Sequence, residues 1–171
     1  MPLLYKRFGI MLYLICSAVY AKGKDPDIIE LRNLFYHSDK DKKVCEQFCK
    51  KLQMIENTGN PLLLAYKGIS LIMSAKHVSN PYYKISNFNK GKAILERAVQ
   101  MDLKNTEIRF LRYCVQTQVP GILCYRANKE EDKMFLLIQY KSIKDENLKH
   151  KIRFYLLEWG NCTSSEKFLL Q

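Results

Sequence analysis

Apolar side chains recur along this chain at steps of three and four residues, the spacing that gathers them on one face of an α-helix. The clearest case lies in residues 87–112, where Phe88, Gly91, Ile94, Leu95, Ala98 and Met101 share a face opposite Lys90, Lys92, Glu96, Arg97 and Gln100. The run Asp102-Leu103-Lys104-Asn105 interrupts that helix. Asn105 or Thr106 then caps a second amphipathic segment whose apolar positions are Ile108, Leu111 and Val115. Two helices joined by a tight turn follow from this stretch.

The same period predicts helices on either side. Asp25-Pro26 has the form of an N-cap followed by first-turn proline, and Ile28, Leu31, Leu34 and Phe35 give a helix ending near Tyr36. Ser38 with Asp41 resembles a capping box, opening a helix with Val44, Cys45, Phe48, Leu52 and Ile55 on its buried stripe. Asn60-Pro61 starts the next. Residues 62–75 are apolar on more than one side, which predicts a central helix, with Gly68 allowing a neighbour's close approach. Residues 76–87 contain Pro81 and show no sustained period, so they are expected to form a long loop, a kind of segment that often carries function. Pro120-Gly121 ends the helix containing Ile108. Asn128 with Glu131 opens another helix, carrying Met134, Leu137 and Ile138, and Asp145 opens the last, with the stripe Leu148, Ile152, Tyr155, Leu156 and Trp159 ended by Gly160. The fold expected is all-α, about seven helices in antiparallel hairpins, forming one domain over residues 22–160 with a loose tail at 161–171.

The N-terminus adds a location. Lys6 and Arg7 precede an uncharged run, Phe8 to Val19, and Val19-Tyr20-Ala21 sets small residues where a signal peptidase reads. Residues 1–21 are therefore expected to be a signal peptide, and the protein exported, periplasmic or secreted. The run is too short for a bilayer-spanning helix, which needs about 20 residues, so no transmembrane segment is expected in the mature chain. The chain has 28 basic and 17 acidic residues, a net charge of +11. Losing Lys6 and Arg7 leaves 26 basic against 17 acidic residues, or +9. These charges are spread along nearly every segment, as on solvated helix faces. Cys45, Cys49, Cys114, Cys124 and Cys162 remain, an odd number whose spacing repeats no disulfide framework. Cys45 and Cys49, one helical turn apart beside Phe48 and Leu52, read as small apolar members of a buried stripe.

Gly91, Leu95 and Ala98 occupy the three steps of the second helix of a tetratricopeptide repeat, and Gly68 can stand for the small residue of the first. Residues 60–118 in this way resemble a degenerate tetratricopeptide-repeat hairpin. Leu103 replaces the family's turn proline, and Gly68 precedes Gly91 by 23 positions where the family has 12, an excess of 11 residues assigned to the loop after Lys76. The chain also resembles exported helical proteins of bacteria. The resemblance implies a stacked array of hairpins presenting helix faces to a partner peptide.

Motifs for chemistry are sparse. His37, His77 and His150 stand apart, without the spacing that holds a metal, and the chain has neither a phosphate-binding glycine loop nor a nucleophile elbow. No cofactor, no metal and no enzymatic activity are expected. The candidate binding residues are His77, Asn80, Tyr82, Tyr83 and Lys84 of the loop, joined by Arg109 and Arg112 at i, i+3. Tyrosine rings and arginine forks are the mixture enriched in binding patches. The competing reading packs the tyrosines against the fold and pairs the arginines with Glu107 or Glu96. The function expected is a scaffold binding a partner protein or peptide. The alternative is a cationic module for polyanions such as anionic lipid, lipopolysaccharide or nucleic acid.

Overall fold

A computed structural model describes residues 26–53, 55 and 59–171. The expected signal peptide lies outside the described residues. Among those residues there are eight α-helices, two short 3-10 turns and no strand. The helices are α1 (Ile28–Ser38), α2 (Lys42–Gln53), α3 (Pro61–His77), α4 (Pro81–Met101), α5 (Thr106–Gln118), α6 (Lys129–Gln139), α7 (Glu146–Trp159) and α8 (Ser164–Leu169).

Side-chain caps set most of the starts. Asp27 accepts from the Ile29 amide, Asp41 from the Lys43 amide, Asn105 from Ile108 and Asp145 from Leu148, at 2.8 to 3.1 Å. Ser38 does not open α2 as expected: it ends α1, with its hydroxyl donating to the Phe35 carbonyl at 2.7 Å, and Asp41 is the cap. Nor does Asn128 cap α6 with its side chain; its amide donates to Glu131 instead.

The expected loop at 76–87 is corrected to helix. Asn80 caps α4 through the Tyr82 and Tyr83 amides, as Asn60 caps α3 through Leu62 and Leu63, and Pro81 and Pro61 take the same first-turn place. Only Val78-Ser79-Asn80 join the two helices, so the 11 excess residues lengthen both. Consequently α3 and α4 form one long antiparallel hairpin. They cross at a pair of glycines so close that a Cβ on Gly68 would lie 2.7 Å from the Gly91 carbonyl oxygen, and one on Gly91 would lie 2.5 Å from that of Gly68.

Two apolar clusters form the core. The first joins α1 through α4, including Leu31, Phe48, Leu63, Tyr66 and Leu95, with Ile108, Leu111 and Val115 of α5. The second joins α6 and α7 with the opposite face of α5, through Phe110, Tyr113, Cys114, Leu136, Ile152 and Leu156. The central helix is therefore α5, not α3. Every residue of α5 from Glu107 to Gln116 is buried. Its polar letters concealed this, because its charges are neutralised inside the fold.

Residues 161–171, expected as a loose tail, hold α8. Thr163 and Glu166 form a capping box, Lys133 of α6 binds Glu166 at 2.9 Å, and Arg153 of α7 donates to the Leu170 carbonyl at 3.0 Å. Leu170 is buried in the second cluster.

Candidate functional site

The arginines proposed for binding are consumed by the fold. Asp132, fully buried at the start of α6, takes Nε and Nη2 of Arg112 at 2.7 and 2.8 Å and also faces Arg109 Nε. Arg112 reaches Glu96 of α4 at 3.0 Å with its remaining nitrogen, and Arg109 reaches Glu131 at 2.6 Å. Tyr125 donates to the other oxygen of Glu96. Although burial opposes its charge, Asp132 and Glu96 hold the Arg112 guanidinium above its ordinary range. Charge-assisted forks of this kind are strong, and they leave Arg109 and Arg112 only 6% and 4% exposed.

A second clasp joins the other side of α5. Arg32 of α1 makes a two-bond fork to Glu107 at 2.6 and 2.7 Å and meets Asp145, the cap of α7, at 2.7 Å. Tyr66 of α3 donates to Glu107 at 2.5 Å. Burial, then the adjacent carboxylate, pushes the Tyr66 hydroxyl above its usual range, so it stays a donor. Arg32 holds the Asp145 carboxyl below the ordinary carboxylate range.

Of the other proposed residues, His77 is tied to the Ser38 carbonyl at 2.7 Å and Asn80 is the α4 cap. Tyr82 and Tyr83 stand in solvent, 75% and 59% exposed, edge to face with centroids 5.6 Å apart. Lys84 alone lines the main concavity. The proposed set is thus not one site.

The structure instead shows a groove of about 960 Å³ at the seam between the two clusters. Its floor is one face of α5, Phe110, Cys114, Val115 and Gln118, with Ile72 and Met73 of α3. One side is the start of α4 with Ile85 and Phe88. The other is the end of α7 with Phe154 and Trp159, while Tyr36 of α1 and Ile122 of the 3-10 turn Gly121–Leu123 close the rim. Five of these are large apolar side chains left in water: Tyr36 40%, Ile85 51%, Ile122 89%, Phe154 46% and Trp159 55% exposed. Scattered exposed apolar residues are ordinary in any protein, but convergence on one concavity is not.

No reactive group is poised on the floor. Burial pushes the Cys114 thiol well up, and the Tyr155 hydroxyl, also raised by burial, donates to the Cys114 carbonyl at 3.0 Å while accepting from Gln118. All five described cysteines are free thiols. Cys45 is buried among apolar side chains as expected, and Cys49 donates to the Ser70 carbonyl at 3.2 Å. Among the described residues no cluster of three or more His, Cys, Asp or Glu side chains is arranged to hold a metal, and no helix is long and apolar enough to cross a membrane.

Sequence reasoning missed the groove because its residues were assigned elsewhere. Trp159 completed a stripe read as core, Ile122 sat in a connection, and Ile85 sat in the supposed loop. The signal available was Ile85 and Phe88 at i, i+3 beyond an Asn-Pro start, which extends the apolar face of α4 toward its N-terminus. No family model, no curated protein and no solved structure matches the chain.

Proposed function

We propose that this protein is a non-enzymatic interaction module, exported to the periplasm or beyond, that seats a helical segment of a partner protein in the groove between α4, α5 and α7. The tetratricopeptide-like stacking of hairpins is part of this reading. The observation that carries it is the ring of five exposed apolar side chains around one concavity. Helix-in-groove recognition uses apolar anchors at i, i+3, i+4 and i+7 laid into such a trough. A volume of 960 Å³ lies at the upper end of ligand cavities, about 300 to 1,000 Å³, and suits several large side chains entering together. The polyanion reading is weakened by the burial of Arg109 and Arg112, which removes its most suitable ligands from the surface.

Trp159 is the chain's single tryptophan and stands on the groove rim, so its emission reports occupancy. Helical peptides with a leucine stripe should shift that emission to the blue, saturably, in the full chain. Ile122→Glu should weaken them, because it sets a carboxylate on the apolar rim that the helix must cover, without lowering Tm. Binding should change by less than about tenfold between 50 and 200 mM salt, whereas a protein making six to ten phosphate contacts loses roughly a thousandfold or more. Absence of a saturable shift with every such peptide would refute the proposal.

A further inference from the structure

The groove's free charges point to the kind of helix it takes. Six ionisable side chains line or rim it in addition to Cys114, Tyr36 and Tyr155: His37, Asp39, Lys40, Lys76, Lys84 and Glu158. Lys76 is engaged, bridging Asp39 and the Gln118 side-chain oxygen, so neither it nor Asp39 is available. Lys40, Lys84 and Glu158 have no ion-pair partner among the described residues. Lys84 stands on the first turns of α4, and that helix has no acidic residue in its first turn. The positive end of its dipole is thus reinforced by an ammonium instead of being offset by a carboxylate. The C-terminal ends of α1 and α3 nearby do carry their compensating residues, His37 on one and Lys76 with His77 on the other. What remains on the α4 side of the groove is a positive corner made by Lys84 and the α4 N-terminus, and Lys40, just after α1, adds a second unpaired ammonium to the lining. On α7, Glu158 lines the groove and Lys151 lies over the ring of the rim residue Tyr36.

Resting on the groove reading above, we infer that the occupant is an amphipathic helix of a partner protein with carboxylates flanking its apolar stripe on the edge that faces Lys84 and Lys40. Apolar burial supplies the binding and is indifferent to direction; charge fixes which way round the helix lies and excludes basic competitors. The sign also fits the net charge of +11, or +9 without residues 1–21, whose general field draws acidic partners toward it.

Two peptides with the same leucine stripe test this, one flanked by Glu and one by Lys, titrated into the full chain with Trp159 emission as the signal. The Glu peptide should bind at least about tenfold tighter at 50 mM salt, and Lys84→Glu should reverse the preference, the Lys peptide now binding better. Equal affinity for both peptides would overturn the inference and leave the groove reading standing. Failure of both would overturn the two together. A Trp159 shift with phosphatidylglycerol vesicles but with neither peptide would assign the groove to a membrane surface and overturn it. So would a shift that grows with protein concentration alone, because a second copy would then cover the groove.

Discussion

The glycine crossing of α3 and α4 gives the sharpest test of the fold, since a single added methyl decides it. At an ordinary helical position Gly→Ala stabilises by about 0.8 to 1.0 kcal/mol through backbone entropy. At Gly68 the new Cβ would lie 2.7 Å from the Gly91 oxygen, 2.8 Å from the Leu95 nitrogen and 3.2 Å from the Leu95 Cα. All three are backbone atoms. Unlike a side chain they have no rotamer to adopt, so the helices themselves must part by roughly 0.5 to 1 Å, and the apolar contacts along their length weaken with distance. Overpacking of this kind typically costs about 1 to 3 kcal/mol, which at a position allowing no local relief outweighs the propensity gain. Gly68→Ala should therefore lower stability by up to about 2 kcal/mol net, or Tm by up to roughly 8 °C for a chain of this length. Gly68→Leu should abolish folding. Gly121, whose Cβ would meet nothing within 4 Å, is the control: its alanine variant should melt within about 0.5 kcal/mol of the parent or slightly above. Gly91→Ala should cost a similar amount to Gly68→Ala, and the double variant less than their sum, because one separation relieves both. Differential scanning calorimetry measures all of these. A Gly68→Ala protein melting at or above the parent would show that the two helices do not meet there.

Asp132→Asn leaves Arg109 and Arg112 buried without their shared counter-charge, and should cost about 3 to 5 kcal/mol in urea unfolding. Acidification should weaken the protein through its surface carboxyls, opposed by Asp132, whose carboxyl burial raises. The carboxyls of Asp145, Glu131 and Glu166 are lowered, chiefly by hydrogen bonds from Arg32, Asn128 and Lys133 respectively. Their contribution is present above the unfolded values near pH 4 and is lost as pH falls through the lower folded ones. The pairs lie at or near the surface, so each is worth about 1 kcal/mol or less, and the urea midpoint should decline gradually below about pH 5. Thr163→Ala removes the α8 capping box, worth about 0.5 to 2 kcal/mol locally. Hydrogen exchange of residues 164–170 should accelerate with little change in global Tm.

Which parts of this structure could be read from the sequence follows from what each local signal can encode. Periodicity located every helix from α1 to α7, and the role of Gly68 at a close crossing followed from a small residue on an otherwise apolar surface. Pro81 is ambiguous because proline both breaks helices and begins them; the preceding Asn80 decides, as Asn60 does before Pro61. The α8 helix is too short to show a period, yet Thr163 and Glu166 spelled out its cap. Met101 and Trp159, each the last member of a stripe, are 44% and 55% exposed, Trp159 on the groove rim. The burial of α5 was illegible for a different reason. Glu107, Arg109 and Arg112 become interior residues only when Arg32, Asp132 and Glu96 arrive from other helices; the pairing of Arg112 with Glu96 is one of those expected above, but no local pattern records Arg32 or Asp132, 75 and 20 positions away.

That same helix explains why the groove lies where it does. The first half of α5 carries the ions, Glu107 clasped by Arg32 of α1 and Tyr66 of α3, and Arg109 and Arg112 clasped from α6 and α4, and these fix the register of the two apolar clusters at that end. The second half carries Cys114, Val115 and Gln118 and has no such clasp. There α4 and α7 flank an apolar floor. Buried ion pairs add little net stability over well-packed apolar replacements, but they penalise displaced registers heavily, because a shifted helix strands a charge. Apolar contacts tolerate displacement better. An arrangement with ions at one end and an open apolar seam at the other therefore holds the hairpins in place while leaving one side able to accept another helix. Filling the groove removes Tyr36, Ile85, Ile122, Phe154 and Trp159 from water without disturbing a single buried charge.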